Sequence, residues 1–129
     1  MPSGRLLIVD DETIVREAMR DWLKDSGYRV EIAETGEEAL DKIGQQEFDV
    51  MILDIRLPGE SGMSILTKAR TIQPRLKSII FTAYPSKDTL AEAKKLGVVE
   101  YLVKPVVLDE LDKLISSAIE STRKEKPSG

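Results

Sequence analysis

Residues 48–59 read FDVMILDIRLPG. Val50, Met51, Ile52 and Leu53 form an unbroken apolar run, the pattern of a strand covered on both faces. The run stops on a carboxylate, Asp54, and Pro58-Gly59 marks a turn four residues later. A strand covered on both faces needs helices on both sides of its sheet, and the rest of the chain supplies them.

Strand-type runs recur at RLLIVD (5–10), YRVEIA (28–33), KSIIFTA (77–83) and VVEYLVK (98–104). Segments of helical period lie between them. In the first, Ile14, Ala18 and Trp22 make one row and Val15, Met19 and Leu23 another, with Gly27 as the stop. Trp22 is expected in the core. The second segment runs from Glu37 to Gln46 after Thr35-Gly36, and the third from about Met63 to Ile72, ahead of Pro74. The fourth spans Lys87 to Leu96, with Ser86 as N-cap and Gly97 as the stop. The last carries Leu111, Leu114, Ile115, Ala118 and Ile119 on one stripe. This is βα five times over, with connections too short for antiparallel rearrangement. Right-handed crossovers then give a doubly wound α/β fold with a five-stranded parallel sheet. From about Glu120 to Gly129 the chain reads as a solvated tail.

The chain has 129 residues, enough for one domain with a core of its own. A net charge of −4 offers no footprint for nucleic acid or an anionic membrane, and the cluster Arg123, Lys124, Lys126 is too small to alter that. There is no Cys, which excludes disulfides, thiolate metal sites and Cys nucleophiles. There is no His either, which removes Ser-His-Asp chemistry, His-ligated zinc and the commonest general base. The opening LLIV is too short for a signal-peptide core, and no run approaches a membrane span. A cytoplasmic protein is expected.

In an open parallel sheet, ligands sit outside the carboxyl ends of the strands. The first strand delivers Asp10, Asp11 and Glu12 there, the third Asp54, the fourth Thr82 and the fifth Lys104, just before Pro105. The second delivers Ala33-Glu34, which points to nothing. Taken one at a time, each has a structural explanation: DDET caps a helix, Asp54 opens a turn, Thr82 ends a strand and Lys104 is solvated. Together they are complementary. Gathered carboxylates repel and require a cation, and oxygen ligands without Cys or His favour Mg²⁺. A carboxylate is also a nucleophile toward phosphorus, and Lys104 and Thr82 would share the charge of the transferring group. The rim reads as a phosphoryl-transfer site in which the protein is itself the acceptor.

The motifs LLIVDDE, DVMILDIRLPGESG, IIFTAY and YLVKP, in this order and spacing, resemble the receiver domain of bacterial two-component response regulators. The resemblance runs from about Arg5 to Ile119. It implies a flavodoxin-like (βα)₅ fold of sheet order 2-1-3-4-5, with residues 1–120 as the receiver domain and 121–129 as a tail or the start of a linker. It further implies a cytoplasmic phosphoprotein of a phosphorelay, phosphorylated with Mg²⁺ by a histidine kinase or histidine phosphotransfer protein. Asp54 would be the phosphoacceptor. Asp11, Asp54 and the Arg56 carbonyl would ligate Mg²⁺, with Asp10 acting through water. Lys104 would bind a phosphoryl oxygen, Lys104-Pro105 would be cis, and Thr82 and Tyr101 would form a switch pair remodelling the face of helix 4, strand 5 and helix 5. Such a domain is not an enzyme in its own right, although it promotes its own phosphorylation and dephosphorylation. Its output domain or effector would lie outside this chain, with a phosphorylation-dependent dimer as one form of output.

One departure stands out. Where the family has an aromatic and then a polar residue after Lys-Pro, this chain has Val106 and Val107. A Val at the N-cap gives up about 1 kcal/mol relative to a polar cap, so the start of the last helix is expected to fray or to shift toward Asp109. Arg56 and Tyr84 lie two residues after Asp54 and Thr82, where the resemblance implies side chains that flank the phosphoryl group, and their bulk is expected to shield an acyl phosphate from water. The competing reading is a pseudo-receiver that serves as an interaction module without phosphorylation. A phosphatase on a similar fold fits poorly, because the second acid such enzymes carry two residues after the nucleophile is here Arg56. Whether the receiver stands alone or belongs to a longer regulator stays open, as do its kinase and signal.

Overall fold

The structure is a computed structural model that describes residues 4–57 and 59–125. Five strands alternate with five helices: β1 (Arg5–Val9), α1 (Thr13–Asp25), β2 (Arg29–Ala33), α2 (Gly36–Gln45), β3 (Val50–Asp54), α3 (Gly62–Ile72), β4 (Lys77–Thr82), α4 (Lys87–Lys95), β5 (Glu100–Val103) and α5 (Leu108–Glu125). All strand pairs are parallel and the sheet order is β2-β1-β3-β4-β5, as the alternation of periodicities and the resemblance together predict.

The apolar run Val50–Leu53 lies in the central strand, β3. All five residues of β3 are buried, because β1 and β4 flank it and helices cover both faces. Alternate strand side chains feed two cores. Leu7, Val9, Met51, Leu53 and Ile80 pack against α2, α3 and Ala93 of α4. Leu6, Ile8, Val50, Ile52, Ile79 and Phe81 pack against α1 and α5. Each fully buried aliphatic side chain contributes about 1.5–3 kcal/mol, so Asp54 sits at the end of the most firmly held segment.

Helix limits follow local signals. Thr35, Ser61 and Ser86 each accept a backbone N–H three residues on, capping α2, α3 and α4. Gly27 (φ 103°) and Gly97 (φ 75°) occupy the left-handed region that ends α1 and α4.

Two expectations need correction. Trp22 is not core: it is 42% exposed and Ile14 is 85% exposed. The face of α1 turned to the sheet carries Arg16, Met19 and Leu23. At about 100° per residue, that choice rotates the Ile14–Ala18–Trp22 row outward. The last helix does not shift to Asp109. It starts at Leu108, with the Val107 carbonyl accepting from the Leu111 N–H, and Asp109 and Glu110 fall in its first turn, where the dipole favours them. Helix α5 continues to Glu125, so the stretch read as a solvated tail begins helical, with Glu120 and Ser121 exposed. Pro58 of the expected turn and Lys126 of the basic cluster lie outside the described residues.

Candidate functional site

The carboxyl ends of β1, β3 and β5 bring Asp10, Glu12, Asp54 and Lys104 into one cluster. Asp10 and Asp54 are buried. The Lys104 ammonium donates to Glu12 Oε1 at 2.8 Å, Asp54 Oδ2 at 3.0 Å and Asp10 Oδ2 at 3.2 Å. An ammonium has three donors, and here each meets a different carboxylate. The Nζ also lies 4.9 Å from the centroid of the Phe81 ring, whose face favours a cation. The second oxygens of the two buried carboxylates take backbone donors: Asp10 Oδ1 accepts from the Glu12 N–H at 2.8 Å, and Asp54 Oδ1 from the Arg56 N–H at 3.0 Å.

Burial pushes the Asp10 carboxyl above its ordinary value, more than the Glu12 N–H and the Lys104 charge pull it down. Burial alone would lower Lys104, but its hydrogen bonds to Glu12 and Asp54 outweigh that and hold it above its ordinary value. The acids repel one another and one amine holds them together.

A hard divalent ion suits this donor set. One carboxylate oxygen from each of Asp10, Glu12 and Asp54 lies within 4.8 Å of the others. Oxygens around one octahedral Mg²⁺ at ~2.1 Å are about 3–4 Å apart, so small side-chain movements close the gap. Asp11 shares the β1–α1 loop but is exposed and stands outside this group, in which Glu12 occupies the third place.

Thr82 is buried at the tip of β4, its hydroxyl accepting from the Tyr84 N–H at 3.0 Å. Its carbonyl accepts from the Lys104 N–H at 2.8 Å, which ties β4 to the β5 end. The Lys104-Pro105 bond is cis, as the resemblance implies. Tyr101 is half-buried, and its hydroxyl bonds Thr89 Oγ1 at 2.7 Å and accepts from the Ser86 N–H at 3.4 Å, joining β5 to the first turn of α4. The Arg56 guanidinium stacks on the Tyr84 ring at 4.4 Å, over the same rim.

Composition and spacing bring Glu12 to the rim without giving it a role, and they do not single out Phe81 or the pair Arg16 and Glu34. The signal for Arg16 is a charged residue on the inner row of α1 with Met19 and Leu23. Its Nη2 reaches Glu34 Oε1 at 3.0 Å, so the second strand contributes to the rim after all.

A doubly wound parallel sheet with paired acids on β1 and β3 and a lysine on β5 defines a class of carboxylate-centred α/β domains. Within it, a family model described as the response regulator receiver domain matches residues 6–116, and the chain belongs to that family. It is 38% identical over 122 residues to the transcriptional regulatory protein ZraR of Klebsiella oxytoca, covering 92% of this chain and 27% of that protein. The chain thus spans about a quarter of the length of that relative. Among solved structures, a CheY-like response regulator receiver domain protein of Methanospirillum hungatei superposes with a TM-score of 0.93 at 34% identity, over 97% of this chain and all of that one. A response regulator of Burkholderia pseudomallei, solved with a phosphorylated aspartic acid, calcium ion and citrate, has a TM-score of 0.81 at 27% identity, over 95% of this chain and 75% of that one. Among the described residues no helix is long and apolar enough to cross a membrane.

Proposed function

We propose that this receiver accepts a phosphoryl group on Asp54 from the phosphohistidine of a partner kinase or phosphotransfer protein, and thereby changes the face it offers to an output partner. The observation that carries the proposal is the triple contact of Lys104 with the carboxylates of Asp10, Glu12 and Asp54. By the family resemblance Asp11, Asp54 and the Arg56 carbonyl would hold Mg²⁺, with Asp10 acting through water; Asp11, which lies outside the Asp10–Glu12–Asp54 group, would then have to turn inward. When bound, the ion supplies positive charge that lets an anionic carboxylate approach an anionic phosphoryl group.

An Asp54 carboxylate oxygen attacks phosphorus as the donor's P–N bond breaks, leaving an acyl phosphate here and a free imidazole on the donor. Lys104 then turns from the acids to a phosphoryl oxygen, and the Thr82 hydroxyl leaves the Tyr84 N–H to donate to another. Tyr101 follows into the space that Thr82 vacates. The adjoining elements are the least firmly held of the fold: α4 buries only Ala93, and no residue of β5 is fully buried. Moving such an equilibrium almost to completion takes about 5 kcal/mol, which a few charge-assisted hydrogen bonds at about 1.5–3 kcal/mol each supply. The domain acts as acceptor and switch, and it catalyses only its own modification.

The test uses phosphoramidate, whose P–N bond stands in for phosphohistidine, with Mg²⁺ and amide resonances as readout. Shifts along α4 and β5 beyond those around Asp54 are expected. Phosphorylation confined in effect to the Asp54 loop would contradict the switch, and no phosphorylation at all would favour the interaction module.

The stacked Arg56 and Tyr84 add a prediction about lifetime. Their contact is worth about 0.5–1 kcal/mol, so Arg56→Ala or Tyr84→Ala should shorten the acyl phosphate half-life roughly two- to fivefold by admitting water. Equal half-lives in parent and variants would dispose of the shielding role.

A further inference from the structure

We propose that Arg16 is a positioning residue for the divalent-ion site, acting through the backbone of Asp10 and anchored by Glu34; the inference rests on the phosphoacceptor reading above. Among the described residues Arg16 is the one basic side chain in the buried class. It occupies the inner face of α1 beside Met19 and Leu23, where an apolar side chain would serve packing. A buried guanidinium is tolerated only when its donors are used, and here the use is partial, since the Nε finds no partner. A fold selecting for stability alone has reason to replace it.

Its contacts indicate what keeps it there. Nη1 donates to the Asp10 carbonyl at 2.7 Å, a short and buried bond. Nη2 donates to Glu34 Oε1 at 3.0 Å and to Thr13 Oγ1 at 3.4 Å. Asp10 is thereby held at every polar atom: its N–H by the Ala33 carbonyl, its C=O by Arg16, one carboxylate oxygen by the Glu12 N–H and the other by Lys104. The peptide that leaves Asp10 is the one that enters Asp11. Fixing its carbonyl therefore sets the direction in which the whole Asp10-Asp11-Glu12 loop crosses the rim. Glu34 joins this loop to the β2–α2 connection, so two neighbouring loops are braced by one guanidinium.

The experiment measures Mg²⁺ affinity by calorimetry on the full chain, alongside urea unfolding in chelator. Arg16→Met should bind Mg²⁺ about tenfold more weakly while unfolding at the same or a higher urea concentration. Glu34→Ala, which removes an exposed carboxylate, should weaken it only about twofold. Phosphorylation should show a raised half-saturating Mg²⁺ concentration with an unchanged maximal rate. A folded Arg16→Met with Mg²⁺ affinity like the parent overturns the inference. Should that variant not fold, Arg16→Lys and Glu34→Ala decide, and parental affinity in both overturns it. Absence of Mg²⁺ binding by the parent chain would instead overturn the phosphoacceptor reading, and this inference with it.

Discussion

Replacing Lys104 with Met should destabilise the fold at neutral pH by about 3 kcal/mol, the low end for breaking a buried ion cluster because Glu12 can turn to water. The substitution leaves Asp10 and Asp54 buried without their shared cation. The pH dependence follows from the Asp10 carboxyl, which burial already holds above its ordinary value. Removing the amine raises the folded-state value further, while the unfolded value stays near the ordinary 3.8 of an aspartate. The folded variant thus takes up protons before the unfolded chain does. Its deficit is full above the raised folded value, shrinks as pH falls through it, and is gone below the unfolded value. Urea unfolding at neutral and mildly acid pH checks this, and added Mg²⁺ should rescue the variant more than the parent. A deficit of equal size at both pH values, unmoved by Mg²⁺, would mean that Lys104 does not neutralise the acids. Phosphorylation of the variant should slow by about 10²–10³, the loss expected when one preorganised positive group is removed from the transition state.

The second large effect concerns Gly62, at the start of α3. Its N–H donates to the Ile55 carbonyl at 2.9 Å, which docks the helix directly behind Asp54. A Cβ added there would lie 2.7 Å from Ile55 Cα, 2.8 Å from the Ile55 oxygen and 3.1 Å from the Asp54 oxygen. These are backbone atoms at the end of the central strand and have nowhere to move. Gly62→Ala should therefore cost about 1–3 kcal/mol by overpacking and should slow phosphorylation by displacing Asp54. Gly44 in α2 is the control: nothing lies within 4 Å of its added Cβ, and Gly44→Ala should stabilise by about 0.5–1 kcal/mol. Equal unfolding midpoints for Gly62→Ala and the parent would refute the close-packing argument.

The strands and their order of appearance are legible in the sequence because a strand buried on both faces must be apolar throughout, as Val50 to Leu53 are. The polar residues of the site are legible for the same reason: Asp54, Thr82 and Lys104 each interrupt such a run at its end. Helix α1 shows where this reasoning stops. Periodicity separates the Ile14–Ala18–Trp22 row from the Val15–Met19–Leu23 row, but both are apolar, and only the sheet decides which turns inward. The answer depends on Arg16, whose partners come from β1 and from Glu34, eighteen residues on. A charge pair of that span depends on how the crossover packs, which no local pattern encodes. The same holds for Glu12, whose reach to Lys104 bridges 92 positions. At α5 the weak cap at Val107 suggested a later start, yet Leu111 and Ile115 are fully buried and the packing of that stripe holds the first turn in place.

The claim on which the functional account depends is that Asp54 takes up phosphate with the help of a divalent ion. Incubation with acetyl phosphate and Mg²⁺ followed by intact-mass measurement tests it directly. A gain of one phosphoryl group that vanishes with chelator and in Asp54→Asn is expected. No gain in the parent chain, or a gain that survives Asp54→Asn, would contradict it.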